Sequence, residues 1–87
     1  MDYKEIQQGV YEVLSNRFNL NNLESTLEEM GCNSLDLAEL EVTIEEKFGI
    51  ETDNNLEMMD LSKYSNSMKL TYNDIVEYVA NKKSITP

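Results

Sequence analysis

Between Met30 and Ile50 the chain carries a complete set of helix punctuation, and this stretch constrains the fold more than any other. Gly31 permits a tight turn just before Asn33, whose side-chain oxygen is suited to accept a first-turn N–H. Asp36 follows three positions later, where it can reach back to the cap. Gly49 stands where a left-handed residue ends a helix. A helix is therefore expected from an Asn33 cap to about Phe48. At about 100° per residue, Leu37, Leu40, Ile44 and Phe48 form one narrow stripe, the expected core face, with Glu41 at its edge, an awkward place for a charge. A second apolar group, Leu35, Ala38 and Val42, lies nearly opposite and is flanked by Glu39, Glu45 and Glu46. A helix on a small domain needs only one buried face, so this group reads as a surface for a partner. Scattered apolar surface residues are equally ordinary, and the pattern alone leaves both readings open.

The flanking sequence supplies the rest of a helical domain. Asp2 with Glu5 is a capping-box start, and Ile6, Val10, Val13 and Leu14 share one helical face, so a first helix is expected to about Asn16 or Arg17. Gly9 inside it lowers helix propensity by up to ~1 kcal/mol, which suggests a close neighbour. Residues 18–33 read as a long ordered loop with Phe18, Leu20, Leu23, Leu27 and Met30 as anchors and a short turn within Leu23–Met30. Thr71 with Asp74 caps a last helix, with Leu70 and Ile75 as a staple, Tyr72, Ile75, Val76 and Val79 as its buried face, and Lys82 and Lys83 at its negative end. Between Glu51 and Lys69, Leu56 with Met59, and Leu61 with Tyr64 and Met68, read as short turns separated by Asn- and Ser-rich breaks. No segment alternates with period two. The expected fold is all-α: a small bundle of three main helices plus one or two short helices between the second and last. It forms a single domain over 1–83, with 84–87 a frayed tail.

Composition removes most chemistries. A net charge of −10 over 87 residues repels nucleic acid and anionic membrane and favours partners with basic patches, although acidity also serves solubility alone. The single cysteine, Cys32, excludes an intrachain disulfide and suits a reducing compartment. The N-terminus shows no apolar signal core and no run reaches membrane-spanning length, so a cytoplasmic monomer is expected. Histidine is absent, which removes Ser–His and Cys–His nucleophiles and imidazole–zinc sites. No phosphate-cradling glycine loop is present, and Asp53-Asn54-Asn55 lacks the glycine and spacing of a calcium loop. No catalytic and no metal-ligating residues are expected. Ser34 stands out instead, because a helix N-terminus favours an anion. On its own, however, a serine there is more often an ordinary first-turn residue.

Ser25 to Leu40, continuing through Phe48-Gly49-Ile50-Glu51, resembles an acyl carrier protein. Met30-Gly31-Cys32-Asn33-Ser34-Leu35-Asp36 followed by Glu39-Leu40 matches the family's core pattern, Leu-Gly-x-Asp-Ser-Leu-Asp then x-x-Glu-Leu. The resemblance implies that Ser34 is the serine to which a phosphopantetheinyl transferase attaches 4′-phosphopantetheine from coenzyme A. It implies a non-catalytic carrier of acyl or aminoacyl thioesters, serving fatty acid, polyketide or another specialised pathway. Leu35, Asp36, Ala38, Glu39, Val42, Glu45 and Glu46 would dock on basic grooves of loading and processing enzymes. The chain departs from the pattern at Asn33, where Asp is usual, at Glu41, where an apolar residue is usual, and in the length of Ile50–Thr71. These departures suit a specialised stand-alone member. They also keep open an unmodified carrier-like adaptor or regulatory subunit that binds one basic partner.

Overall fold

The computed structural model describes residues 1–50 and 68–87. Among these, three helices form: α1 (Tyr3–Arg17), α2 (Ser34–Phe48) and α3 (Tyr72–Lys82). The short helices expected between the last two lie outside the described residues, as do Leu56, Met59, Leu61 and Tyr64. Each of the three helices opens on a complete capping box: Asp2 with Glu5, Asn33 with Asp36, and Thr71 with Asp74. Two of the four orphan N–H groups at each start are thereby satisfied by residues within the same turn. The bundle expected from the sequence is the one observed.

α1 packs against both α2 and α3. Its buried face is Ile6, Gly9, Val10, Val13 and Leu14. It meets Leu37, Leu40, Ile44 and Phe48 from α2 and Ile75, Val76, Val79 and Ala80 from α3 in one core, completed by Leu27, Cys32 and Met68. Gly9 has the close neighbour its position suggested. A Cβ built there would lie 2.6 Å from Phe48 Cζ and 2.9 Å from Phe48 Cε1. The glycine lets the Phe48 ring cross the α1 backbone. Two residues before Gly9, the Gln7 carbonyl accepts the Tyr72 hydroxyl at 2.9 Å, tying the start of α3 to α1.

The helix ends show where tertiary contacts override local expectation. Gly49 is left-handed (φ 65°), and Ile50 N–H reaches back to the Glu45 carbonyl at 2.9 Å. Lys83, expected to serve the end of its own helix, instead places Nζ 2.7 Å from the Phe48 carbonyl, capping α2. Beyond α3, Ser84 takes a left-handed conformation (φ 55°), Ile85 N–H bonds the Ala80 carbonyl, and Ile85 packs on the core. These two residues close a Schellman turn where a frayed tail was expected. Leu23 departs in the opposite sense: expected as an anchor, it is 47% exposed.

The Gly9–Phe48 contact predicts that Gly9→Ala destabilises the fold. The gain in helix propensity is up to ~1 kcal/mol, whereas forcing a methyl into an aromatic ring costs about 1–3 kcal/mol. The urea midpoint should therefore fall; a rise would show that the ring moves aside freely.

Candidate functional site

The segment that delivers Ser34 is a chain of short-range bonds. Thr26 and Glu29 form a reciprocal capping box in the loop: Thr26 N–H donates to Glu29 Oε1 at 2.9 Å, and Glu29 N–H to Thr26 Oγ1 at 3.2 Å. The Thr26 N–H, and secondarily the Thr26 hydroxyl, hold the Glu29 carboxyl below its ordinary range. One turn follows and ends in a Schellman motif. Gly31 is left-handed (φ 88°), its N–H bonds the Glu28 carbonyl, and Cys32 N–H bonds the Leu27 carbonyl, both at 3.0 Å. The turn expected within Leu23–Met30 is thus present. It is fastened to the segment before α3, with Leu27 N–H on the Leu70 carbonyl and Glu28 N–H on the Met68 carbonyl, both at 2.9 Å. Thr26 and Thr71 form an isolated antiparallel bridge there.

Asn33 is extended (φ −107°, ψ −177°) and its side-chain oxygen accepts the Asp36 N–H at 2.9 Å; Asp36 returns a carboxylate oxygen to the Asn33 N–H at 3.1 Å. The Asn33 carbonyl accepts the Leu37 N–H at 2.9 Å. The N–H groups of Ser34 and Leu35 remain without partners among the described residues, as the first-turn geometry requires. Ser34 is the first residue of α2 and is exposed. Its hydroxyl therefore stands in solvent beside two free donors and the positive end of a helix dipole, which fits a phosphodiester. Asn33 caps the helix as Asp would without adding a charge beside Ser34.

Cys32, two residues away, is buried and donates weakly to the Asn33 carbonyl at 3.5 Å. Burial, and secondarily the Asp36 carboxylate, push its thiol up to about 11. It is a packing residue, inert as a nucleophile near neutral pH.

The residues expected to form a docking face are only partly brought together. Leu35 (66% exposed) and Val42 (47%) lie open on the outer side of α2, with Ala38 half-buried between them and Glu39 and Glu46 exposed. Asp36 is half-buried and committed to the cap. Glu39 is engaged by Arg17, whose Nη1 lies 3.1 Å from Glu39 Oε2. Glu45 does not belong to this face. It is buried at 6% exposure, with Oε1 accepting no hydrogen bond from a described residue. The reason is angular. The core arc of α2 runs about 140° from Leu40 to Glu45, wider than the apolar stripe, and takes in Glu41 and Glu45 at its margin. Arg17 was missed as a contributor because nothing local links it to Glu39. Among the described residues no cluster of His, Cys, Asp or Glu is arranged to hold a metal ion, and no helix is long and apolar enough to cross a membrane.

With this geometry in hand, comparison with known proteins is specific. Residues 8–66 match the family described as "Phosphopantetheine attachment site". Acyl carrier proteins of Nitratidesulfovibrio vulgaris, from strains DP4 and Hildenborough, are each 39% identical over 59 residues. The match covers 68% of this chain and 66% of those relatives' length. No solved structure gives a significant match. The chain belongs to the acyl carrier protein family. The prosthetic group of that family is covalently attached 4′-phosphopantetheine.

Two measurements follow from the buried groups. Burial raises the Glu45 carboxyl above its ordinary 4.5, opposed by the Lys82 charge. A folded-state value above the unfolded one gives stability that is complete below about 4.5 and lost as pH rises through the folded value. Glu45→Gln should therefore raise the melting midpoint at neutral pH, and the difference from wild type should vanish below pH 4.5. An equal difference at both pH values would assign the effect to packing. For Cys32, a thiol reagent should label the unmodified native protein only after unfolding; rapid native labelling would contradict its burial.

Proposed function

We propose that Ser34 is the attachment residue and that the chain works as a carrier, holding acyl or aminoacyl intermediates for enzymes that load, modify and release them. The observation that supports this most is the position of Ser34: exposed, first in α2, beside two N–H groups that have no partner among the described residues, and fixed by a Schellman turn and a capping box. When bound, the 4′-phosphopantetheine arm supplies a terminal thiol that carries cargo as a thioester. The chain's own residues anchor, present and dock. The first turn of α2 stabilises the phosphate charge. The burial of Cys32 keeps a second thiol from competing for cargo.

Docking falls to the outer face of α2. Leu35, Ala38 and Val42 offer a small apolar patch, and Asp36, Glu39 and Glu46 lie around it. A patch of this size suits brief encounters with a transferase and several processing enzymes in turn. The net charge of −10 draws basic partners from a distance. Asn33 and Glu41 stand where the family pattern has Asp and an apolar residue, and they favour a specialised pathway over general fatty acid synthesis.

Incubation with coenzyme A and a broad-specificity phosphopantetheinyl transferase should add one phosphopantetheinyl group, mapped by peptide mass to Ser34. Ser34→Ala should keep the helical signal and a stability within about 0.5 kcal/mol of wild type, as surface substitutions do, and take up nothing. An adduct persisting on Ser34→Ala would exclude this attachment residue. Folded wild type that takes up no adduct from any transferase would favour an unmodified adaptor.

A further inference from the structure

We propose that Arg17 is a specificity-determining residue for docking: held across Glu39, it disfavours uniformly basic grooves and fits partners that set a carboxylate among their basic residues. This rests on the carrier reading above.

The geometry is a fork over one turn of α2. Arg17 is the last residue of α1. Its Nη1 lies 3.1 Å from Glu39 Oε2 and its Nη2 donates to Thr43 Oγ1 at 2.9 Å, while Thr43 Oγ1 donates to the Glu39 carbonyl at 2.7 Å. Glu39 lies four residues after Leu35 and three before Val42, so the guanidinium borders the exposed apolar patch. One further turn along the same seam, Lys47 Nζ meets Glu12 Oε2 at 3.2 Å. An open groove of about 400 Å³ separates the two ion pairs and is lined by Val13, Asn16, Arg17, Thr43, Glu46 and Lys47. The face is therefore of mixed charge. Asp36 is bonded to the cap, Glu45 is buried and Glu39 is matched. Glu46 is the exposed acid of the set with no charged partner among the described residues.

The energetics favour exchange. Arg17 and Glu39 keep side-chain exposures of 30% and 53%, and such a pair is worth about 0–1 kcal/mol, so docking can open it. A partner with only basic residues must break the bridge and leave Arg17 facing like charge. A partner that also brings a carboxylate takes Arg17 while its own cation takes Glu39, turning one pair into two. The exclusion of the wholly basic partner is a repulsive element built beside an attractive one.

The test is steady-state transfer from coenzyme A by a phosphopantetheinyl transferase whose docking groove is wholly basic, on wild type, Arg17→Gln, Glu39→Gln and the double variant. Arg17→Gln should lower KM several-fold with kcat unchanged and steepen its salt dependence. Glu39→Gln should raise KM several-fold in the Arg17→Gln background, where the Glu39 carboxylate would otherwise meet the groove unpaired. Replacing one groove lysine of the transferase by Glu should reverse the order of wild type and Arg17→Gln. A KM unchanged or raised by Arg17→Gln, or independent effects in the double-mutant cycle, would overturn the role of Arg17 while leaving the carrier intact. Failure of wild type to accept the group would overturn the carrier reading itself, and this proposal with it.

Discussion

The backbone of Leu27 holds Ser34 at the start of α2. Its side chain is fully buried. Its N–H bonds the Leu70 carbonyl, and its own carbonyl accepts Cys32 N–H at the far side of the Gly31 turn. One residue thus ties the long loop to the segment before α3 on one side and to the start of α2 on the other. Buried backbone groups need such partners, and here satisfying them also sets the direction from which Asn33 enters the cap.

Cations are scarce, and most of the described ones brace the fold. The chain has seven Lys and Arg against seventeen Asp and Glu. Arg17 and Lys47 fasten α1 to α2 through Glu39 and Glu12, Lys83 caps α2, and Lys82 acts on Glu45. Each is individually small, yet together they draw acids away from the surface field. The formal charge therefore describes the long-range attraction of the molecule better than its contact face. At contact distance, hydrogen bonding and burial decide which carboxylates remain available.

What could be read from sequence was what is local. Capping boxes at Asp2, Asn33 and Thr71, the glycine turns at Gly31 and Gly49, and the apolar stripes of all three helices follow from residues within one or two turns of each other. Even Gly9 announced a neighbour, though not that the neighbour is Phe48. Periodicity gives an angle and not the width of the buried arc, which is why Glu45 was placed outward and lies at the buried margin; Leu23 was placed inward on its apolar character alone, in a loop without periodicity, and lies exposed. Lys83 and Arg17 act across 35 and 22 residues, and no pattern within a helix reports such a pairing. Ser84 escaped notice because a left-handed non-glycine residue has no sequence signature. Of the candidate site, the Asn33 cap and the first-turn position of Ser34 were legible, since turn chemistry decides both. The state of the acids around it was not, because that depends on which helix end lies beside them.

On the proposed reading, anchoring and docking share α2 but place opposite demands on it. Anchoring needs the first turn rigid and its charge low, since a phosphodiester on Ser34 adds negative charge to an already acidic chain. Asn33 meets this: it makes the bond Asp would make, and it leaves the Asp36 carboxylate bound to a backbone N–H. Docking needs the middle of the helix open and able to exchange partners. Leu35 and Val42 are open, and the Arg17–Glu39 pair is weak enough to exchange. The two demands are met by different kinds of bond. The cap is made within three residues and does not depend on what docks. The bridge is made between helices at the surface, where a partner's charges compete directly for the same atoms.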